Sequence, residues 1–78
     1  MSADEALIAA VLMDLAHSRR AGASFCPSDA ARALAEDWRP LMPEVRRVAA
    51  GLPLLATQKG QPVDPLGAKG PIRLRLAA

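Results

Sequence analysis

Residues 38–58 read WRPLMPEVRRVAAGLPLLATQ, and this stretch decides the fold. Its two early prolines, Pro40 and Pro43, are compatible with a helix only in the opening turn, so a helix starting near Arg39 or Pro40 is expected. At about 100° per residue, Leu41, Met42, Val45, Val48, Ala49 and Leu52 all fall within about 60° of one direction. Arg39, Arg46, Arg47 and Ala50 point the other way. Gly51 stands where such a helix would end. Leu54 to Gln58 then forms a short apolar run closed by Lys59-Gly60, as a strand entering a turn would be.

Upstream, Ser2 and Glu5 have the spacing of a capping box. Leu7, Ile8, Val11, Leu12 and Leu15 form one helical stripe behind it. Arg19 and Arg20 suit the negative end of a helix over residues 3–20, and Gly22 is a natural stop. Phe25 lies in an entry loop and is expected to plug the core. Pro27 is read as outside a helix, with Ser28 as cap and a short second helix from Ala30 to Asp37 whose Ala31, Leu34 and Ala35 face inward. Trp38 follows at the turn as a packing anchor. Downstream, residues 59–70 hold three glycines and two prolines and read as one long loop. Ile72-Arg73-Leu74-Arg75-Leu76 alternates strictly, the signature of a half-buried strand. Three helices followed by strand, loop and strand predict a mainly α domain with a C-terminal β-hairpin, of the α+β class. That is the order of a winged helix-turn-helix, with the long loop as wing and one domain over residues 1–78.

The segments FCPSDAARAL (25–34), WRPLMPEVR (38–46), TQKG (57–60) and KGPIRL (69–74) together resemble a small bacterial winged-helix-like family of unassigned function, over roughly residues 5–76. The resemblance implies a winged-helix-like fold and no reaction.

Composition narrows the chemistry. Of 78 residues 51% are hydrophobic, but 17 are alanine and 11 leucine, so the core rests on Leu with a few larger groups. A domain of this size has little room for a deep catalytic pocket, and no enzyme activity or cofactor is expected. The lone Cys26 and lone His17 supply neither a disulfide framework nor a zinc ligand set. The longest apolar run, Ala6 to Met13, is too short for a bilayer, and Asp4 and Glu5 stand where a secretory leader would carry base. A monomer of the reducing cytoplasm is the expectation.

Charge is unevenly distributed. Residues 1–37 hold three arginines against six carboxylates, whereas residues 38–78 hold seven bases against two. A basic half on an acidic support suits a polyanion, and duplex DNA is the preferred partner. Arg46 and Arg47, with Arg39 at the helix start, would enter the groove, while Lys59, Lys69, Arg73 and Arg75 would hold phosphates. The same side chains admit a quieter reading, in which Arg39 stacks on Trp38 or pairs with Glu36 or Asp37, and Arg46 is held by a carboxylate such as Asp29. A protein-interaction module is the alternative, favoured by Pro62, Val63, Pro65 and Leu66 on the loop. A thiol sensor at Cys26, near the start of helix 2, is a minor third.

Overall fold

The computed structural model describes residues 3–18 and 23–77. The Ser2 cap, the Arg19-Arg20 pair and the Gly22 stop lie outside the described residues. Helix α1 spans Ala3–Ser18, α2 Pro27–Leu34 and α3 Met42–Ala50. A 3₁₀ turn over Arg39–Leu41 leads into α3. Strands β1 (Leu54–Gln58), β2 (Gln61–Pro62) and β3 (Arg73–Leu76) form an antiparallel sheet in the order β2-β1-β3. The architecture is α+β in a winged-helix-like arrangement.

The buried stripe of α1 is Ile8, Leu12 and Ala16, spaced by four residues, with Val11 and Leu15 at its flanks. Leu7, read as part of that stripe, is 55% exposed. It shares a row with the half-buried Val11 and Leu15, at the rim of the seam that Ile8, Leu12 and Ala16 bury.

Helix α2 begins three residues earlier than the sequence suggested. Pro27 occupies its first turn, where the missing N–H costs nothing and the fixed φ is already helical. Cys26, not Ser28, is the N-cap, and the Asp29 carboxylate accepts the Cys26 N–H at 3.2 Å. The helix also stops earlier, at Leu34, so Glu36, Asp37 and Trp38 belong to the turn.

The entry to α3 is 3₁₀ for a reason visible in its prolines. In an α-helix the Arg39 carbonyl would accept the N–H of residue 43, but residue 43 is proline. The Met42 N–H takes that carbonyl instead, tightening the first turn. Val45, Val48 and Ala49 are buried, with Leu41, Met42 and Leu52 packed beside them.

The expected two-stranded hairpin is a three-stranded sheet. Lys59 and Gly60, at φ 52° and 81°, make a two-residue turn of the kind that matches strand twist. The chain then returns along β1 for two residues, pairing Gln58 with Gln61 and Thr57 with Pro62. It crosses beneath the end of β1 and pairs with its other edge as β3, from Thr57 opposite Arg73 to Leu54 opposite Leu76. Ala56 and Leu74 face each other in the core, while Thr57 and Arg73 lie on the outer side. Leu74 is also bridged on its far side by Phe25, through two backbone hydrogen bonds of 2.8 Å. Phe25 thus ties the segment before α2 to the sheet and fills the centre of the core at 0% exposure.

Phe25 is the only phenylalanine of the chain, and no neighbour can fill its volume from an alanine-rich core. Phe25→Ala is expected to cost about 3–5 kcal/mol, read from the urea midpoint. Against a total stability on the order of 5–15 kcal/mol for a domain, this leaves little folded margin. A change below about 1 kcal/mol would contradict the assigned role.

Candidate nucleic-acid interface

Strand β3 is reached through residues 68–71, and this short connection is held by two side chains from two different elements. Arg46, on α3, donates from Nη1 to the Ala68 carbonyl at 2.8 Å and from Nη2 to the Gly70 carbonyl at 2.7 Å. Gln58, the last residue of β1, donates through Nε2 to the Lys69 carbonyl at 2.5 Å and to the Pro71 carbonyl at 3.2 Å. Successive carbonyls therefore go alternately to the helix and to the strand. Gly70 allows the path, having φ 84°. The loop ahead of it is set by Asp64, whose Oδ1 accepts the Leu66 N–H at 2.9 Å and whose carbonyl accepts the N–H groups of Gly67 and Ala68.

This clamp decides where the basic side chains stand. Lys59 and Arg73 line one groove of about 360 Å³ with Thr57, Gln58, Pro71 and Ile72. Lys69 is carried on the strip that Gln58 and Arg46 hold, next to the same end of the sheet. At about 120° per residue through the 3₁₀ turn and about 100° through α3, Arg46 comes within about 40° of Arg39, on one side of the helix. Positive charge thus runs from the start of α3, through Arg46, to the sheet end. Arg75 follows Arg73 on the outer side of β3, opposite Leu55.

The arginines differ in what they have to spend. Arg47 is bonded to Glu44 and to Glu5 of α1, joining α3 to α1. The Glu44 carboxyl pKa is lowered from its ordinary 4.5, chiefly by the hydrogen bond from Arg47; desolvation opposes this and the charge of Arg47 adds to it. Arg47 itself is raised, first by its hydrogen bond to Glu44 and then by that to Glu5. Arg73 donates from Nε to the Ser24 hydroxyl at 3.0 Å and from Nη2 to the Ser24 carbonyl at 2.7 Å. Arg39 stacks on Trp38, its guanidinium carbon 4.7 Å from the ring centroid, and Arg32 of α2 does the same. Among the described residues, Lys59, Lys69 and Arg75 make no side-chain hydrogen bond or ion pair.

Arg46 and Arg47 were expected to enter a groove, and both make bonds to other parts of the chain. Arg46 meets backbone carbonyls instead of Asp29 or another carboxylate. Its partners lie 22 and 24 residues away, a separation that no local pattern reveals. Gln58, Ser24 and Arg32 take part in this surface without having drawn notice in the sequence. For Gln58 the available hint was a long amide beside the Lys59-Gly60 turn. Elsewhere, the Cys26 Sγ accepts the Ser28 hydroxyl at 3.0 Å, and His17 donates from Nδ1 to the Met13 carbonyl at 2.8 Å. Among the loop apolars, Val63 packs against the core and Leu66 is 60% exposed. Among the described residues no helix is long and apolar enough to cross a membrane.

The fold and this surface define a small α+β domain, winged-helix-like, whose third helix is clamped to the approach to its last strand. The chain belongs to the family described as proteins of unknown function, DUF3253, which matches residues 5–77. No curated protein matches it.

Three variants check the clamp and the ion pair. Arg46→Ala removes two charge-assisted hydrogen bonds and is expected to cost on the order of 1–3 kcal/mol, with faster amide exchange over residues 68–73. Arg46→Lys should recover little of it, because a single ammonium lacks the forked geometry that reaches two carbonyls at once. Full recovery by lysine would show that charge alone matters there. For Glu44, a folded pKa below the unfolded value gives stability that is present above the unfolded pKa and is lost as pH falls through the folded one. A carboxyl titration by NMR should place Glu44 below its ordinary value in the native chain and restore it in Arg47→Ala. An unshifted Glu44 would contradict the ion pair.

Proposed function

We propose that this chain binds duplex DNA through its phosphates, wing end first, without reading base sequence. The observation that carries the reading is the gathering of Lys59, Lys69 and Arg73 at one end of the sheet, continued to Arg39 by Arg46. Arg46 spends its donors on the loop but keeps its charge, so it contributes to the field that attracts a polyanion while it positions Lys69. Arg47 contributes less, being offset by two carboxylates. Direct base readout lacks support from helix α3. Its outward positions Pro43 and Ala50 carry no side-chain donor, and the flanking Arg46 and Arg47 are bonded elsewhere. Lys59, Lys69 and Arg75 retain their donors for phosphate, which fixes position on a duplex but carries no sequence information.

A protein partner is the second reading, and one feature favours it. A groove of about 480 Å³ between α3 and the loop is lined by Met42, Pro43, Arg46, Pro65, Leu66 and Gly70, with Leu66 standing open beside it. On that reading the loop apolars would be the contact and the lysines its rim.

Fluorescence anisotropy with a random-sequence duplex at several salt concentrations separates the two. The DNA reading expects a Kd of roughly 10⁻⁴–10⁻⁶ M at physiological salt. It expects the double variant Lys59→Ala, Lys69→Ala to flatten the log–log salt slope by about 1.8, two phosphate contacts at about 0.9 each. An unchanged slope, or no duplex binding by the native chain at low salt, would remove the reading and favour a protein partner.

A further inference from the structure

Trp38 carries two arginines that no carboxylate holds among the described residues. Arg32, in the last turn of α2, and Arg39, at the start of the 3₁₀ turn, each place the guanidinium carbon 4.7 Å from the centroid of the Trp38 ring. That distance is well inside the range for attraction between a cation and an aromatic face. Both side chains are exposed, while the indole is half-buried and packs against the core. Glu36 and Asp37 lie in the same turn and are exposed, yet neither pairs with either arginine. Among the described residues the two guanidiniums make no hydrogen bond and no ion pair. Two like charges are thus gathered on one ring with their N–H edges unspent.

This arrangement differs from that of every other arginine described in the chain except Arg75. Arg46, Arg47 and Arg73 use their donors within the protein. Stacking uses only the guanidinium face and leaves all five N–H groups at the edge, where the planar fork matches two oxygens of a phosphate. The ring also restricts the two long side chains, so less conformational freedom is lost when they take up an anion. Finally, Arg39 shares one side of the helix with Arg46, and Arg46 contacts the strip that carries Lys69. The Trp38 pair therefore stands at the far end of the same line of positive charge.

We propose that Arg32 and Arg39, oriented by Trp38, form a second phosphate-gripping point, which takes an oxygen pair of the duplex backbone at the turn between α2 and α3. This rests on the DNA reading above and adds to it a contact at the opposite end of the face from Lys59 and Lys69. The clamp supplies its own reporter, since Trp38 is the only tryptophan and the chain has no tyrosine.

The test is a titration of the full chain with short random-sequence duplex, following duplex anisotropy and Trp38 emission together. Emission is expected to change in parallel with anisotropy and to revert on raising salt. The double variant Arg32→Gln, Arg39→Gln is expected to bind about tenfold more weakly at low salt, with a log–log slope smaller by about 1.8. Its thermal midpoint, measured alongside, separates lost contact from lost folding; should the variant unfold, the emission of the native chain decides alone. Normal duplex binding with silent Trp38 emission, or with an unchanged slope in the folded variant, would overturn the clamp and leave the wing contact standing. No duplex binding by the native chain would overturn both.

Discussion

Four consecutive carbonyls, those of residues 68–71, hold this domain in its working shape. Each is an acceptor on an irregular, largely exposed segment outside helix and sheet, where a side-chain donor in place of water fixes the path of the backbone. Arg46 and Gln58 supply them in alternation, one from the helix and one from the strand. The consequence is geometric. The strip between the loop and β3 is bound on two sides, so β3 meets the far edge of β1 in a single register, and Lys69 is carried to the sheet end. A loop held only by its own turn at Asp64 would leave both free to vary.

The same economy explains the division among the basic residues. A chain with few aromatic groups and many alanines has little apolar area with which to join its elements, and its arginines do part of that joining. Arg47 links α3 to α1, Arg46 links α3 to the approach of β3, and Arg73 links β3 to the segment before α2. Arg32 and Arg39 cover the indole at the turn between α2 and α3. The exposed ion pairs of Arg47 contribute little each, so their value lies in fixing orientation more than in total stability. The core itself rests on Phe25, Leu12, Ile72, Leu74 and Val45, with Phe25 doubling as a bridge to the sheet through its backbone.

On the proposed DNA reading, the bases left without an internal partner are the ones that meet phosphate. Among the described residues, Lys59, Lys69 and Arg75 make no side-chain hydrogen bond or ion pair, and they stand near residues whose charges survive internal bonding. A long row of bases can therefore serve structure and polyanion attraction together, because a hydrogen bond to a neutral carbonyl uses a donor without cancelling its charge. Pairing with carboxylates, as at Arg47, does cancel it. That difference in partner chemistry, more than the number of bases, sets which part of the surface is electropositive.

Periodicity and turn chemistry made most of the fold legible. The α3 stripe, the β1 run, the Lys59-Gly60 turn and the alternation of β3 are local patterns, and the structure keeps each of them. The start of α2 was legible too, but Pro27 had to be weighed as a first-turn residue instead of a breaker. Strand β2 was hidden because two exposed residues, Gln61 and Pro62, carry no pattern; only pairing with β1 makes them a strand. The identity and clustering of the bases was written in the order of residues. Which of them would be spent internally was not, because Arg46 meets Ala68 and Gly70, and Arg73 meets Ser24, across 22 to 49 residues of chain. Sequence determines local geometry through backbone preference and side-chain period, whose reach is a few residues. Partners for a long, flexible guanidinium are chosen by whichever acceptors the packed elements bring within hydrogen-bond distance, and that choice exists only once the tertiary structure has formed.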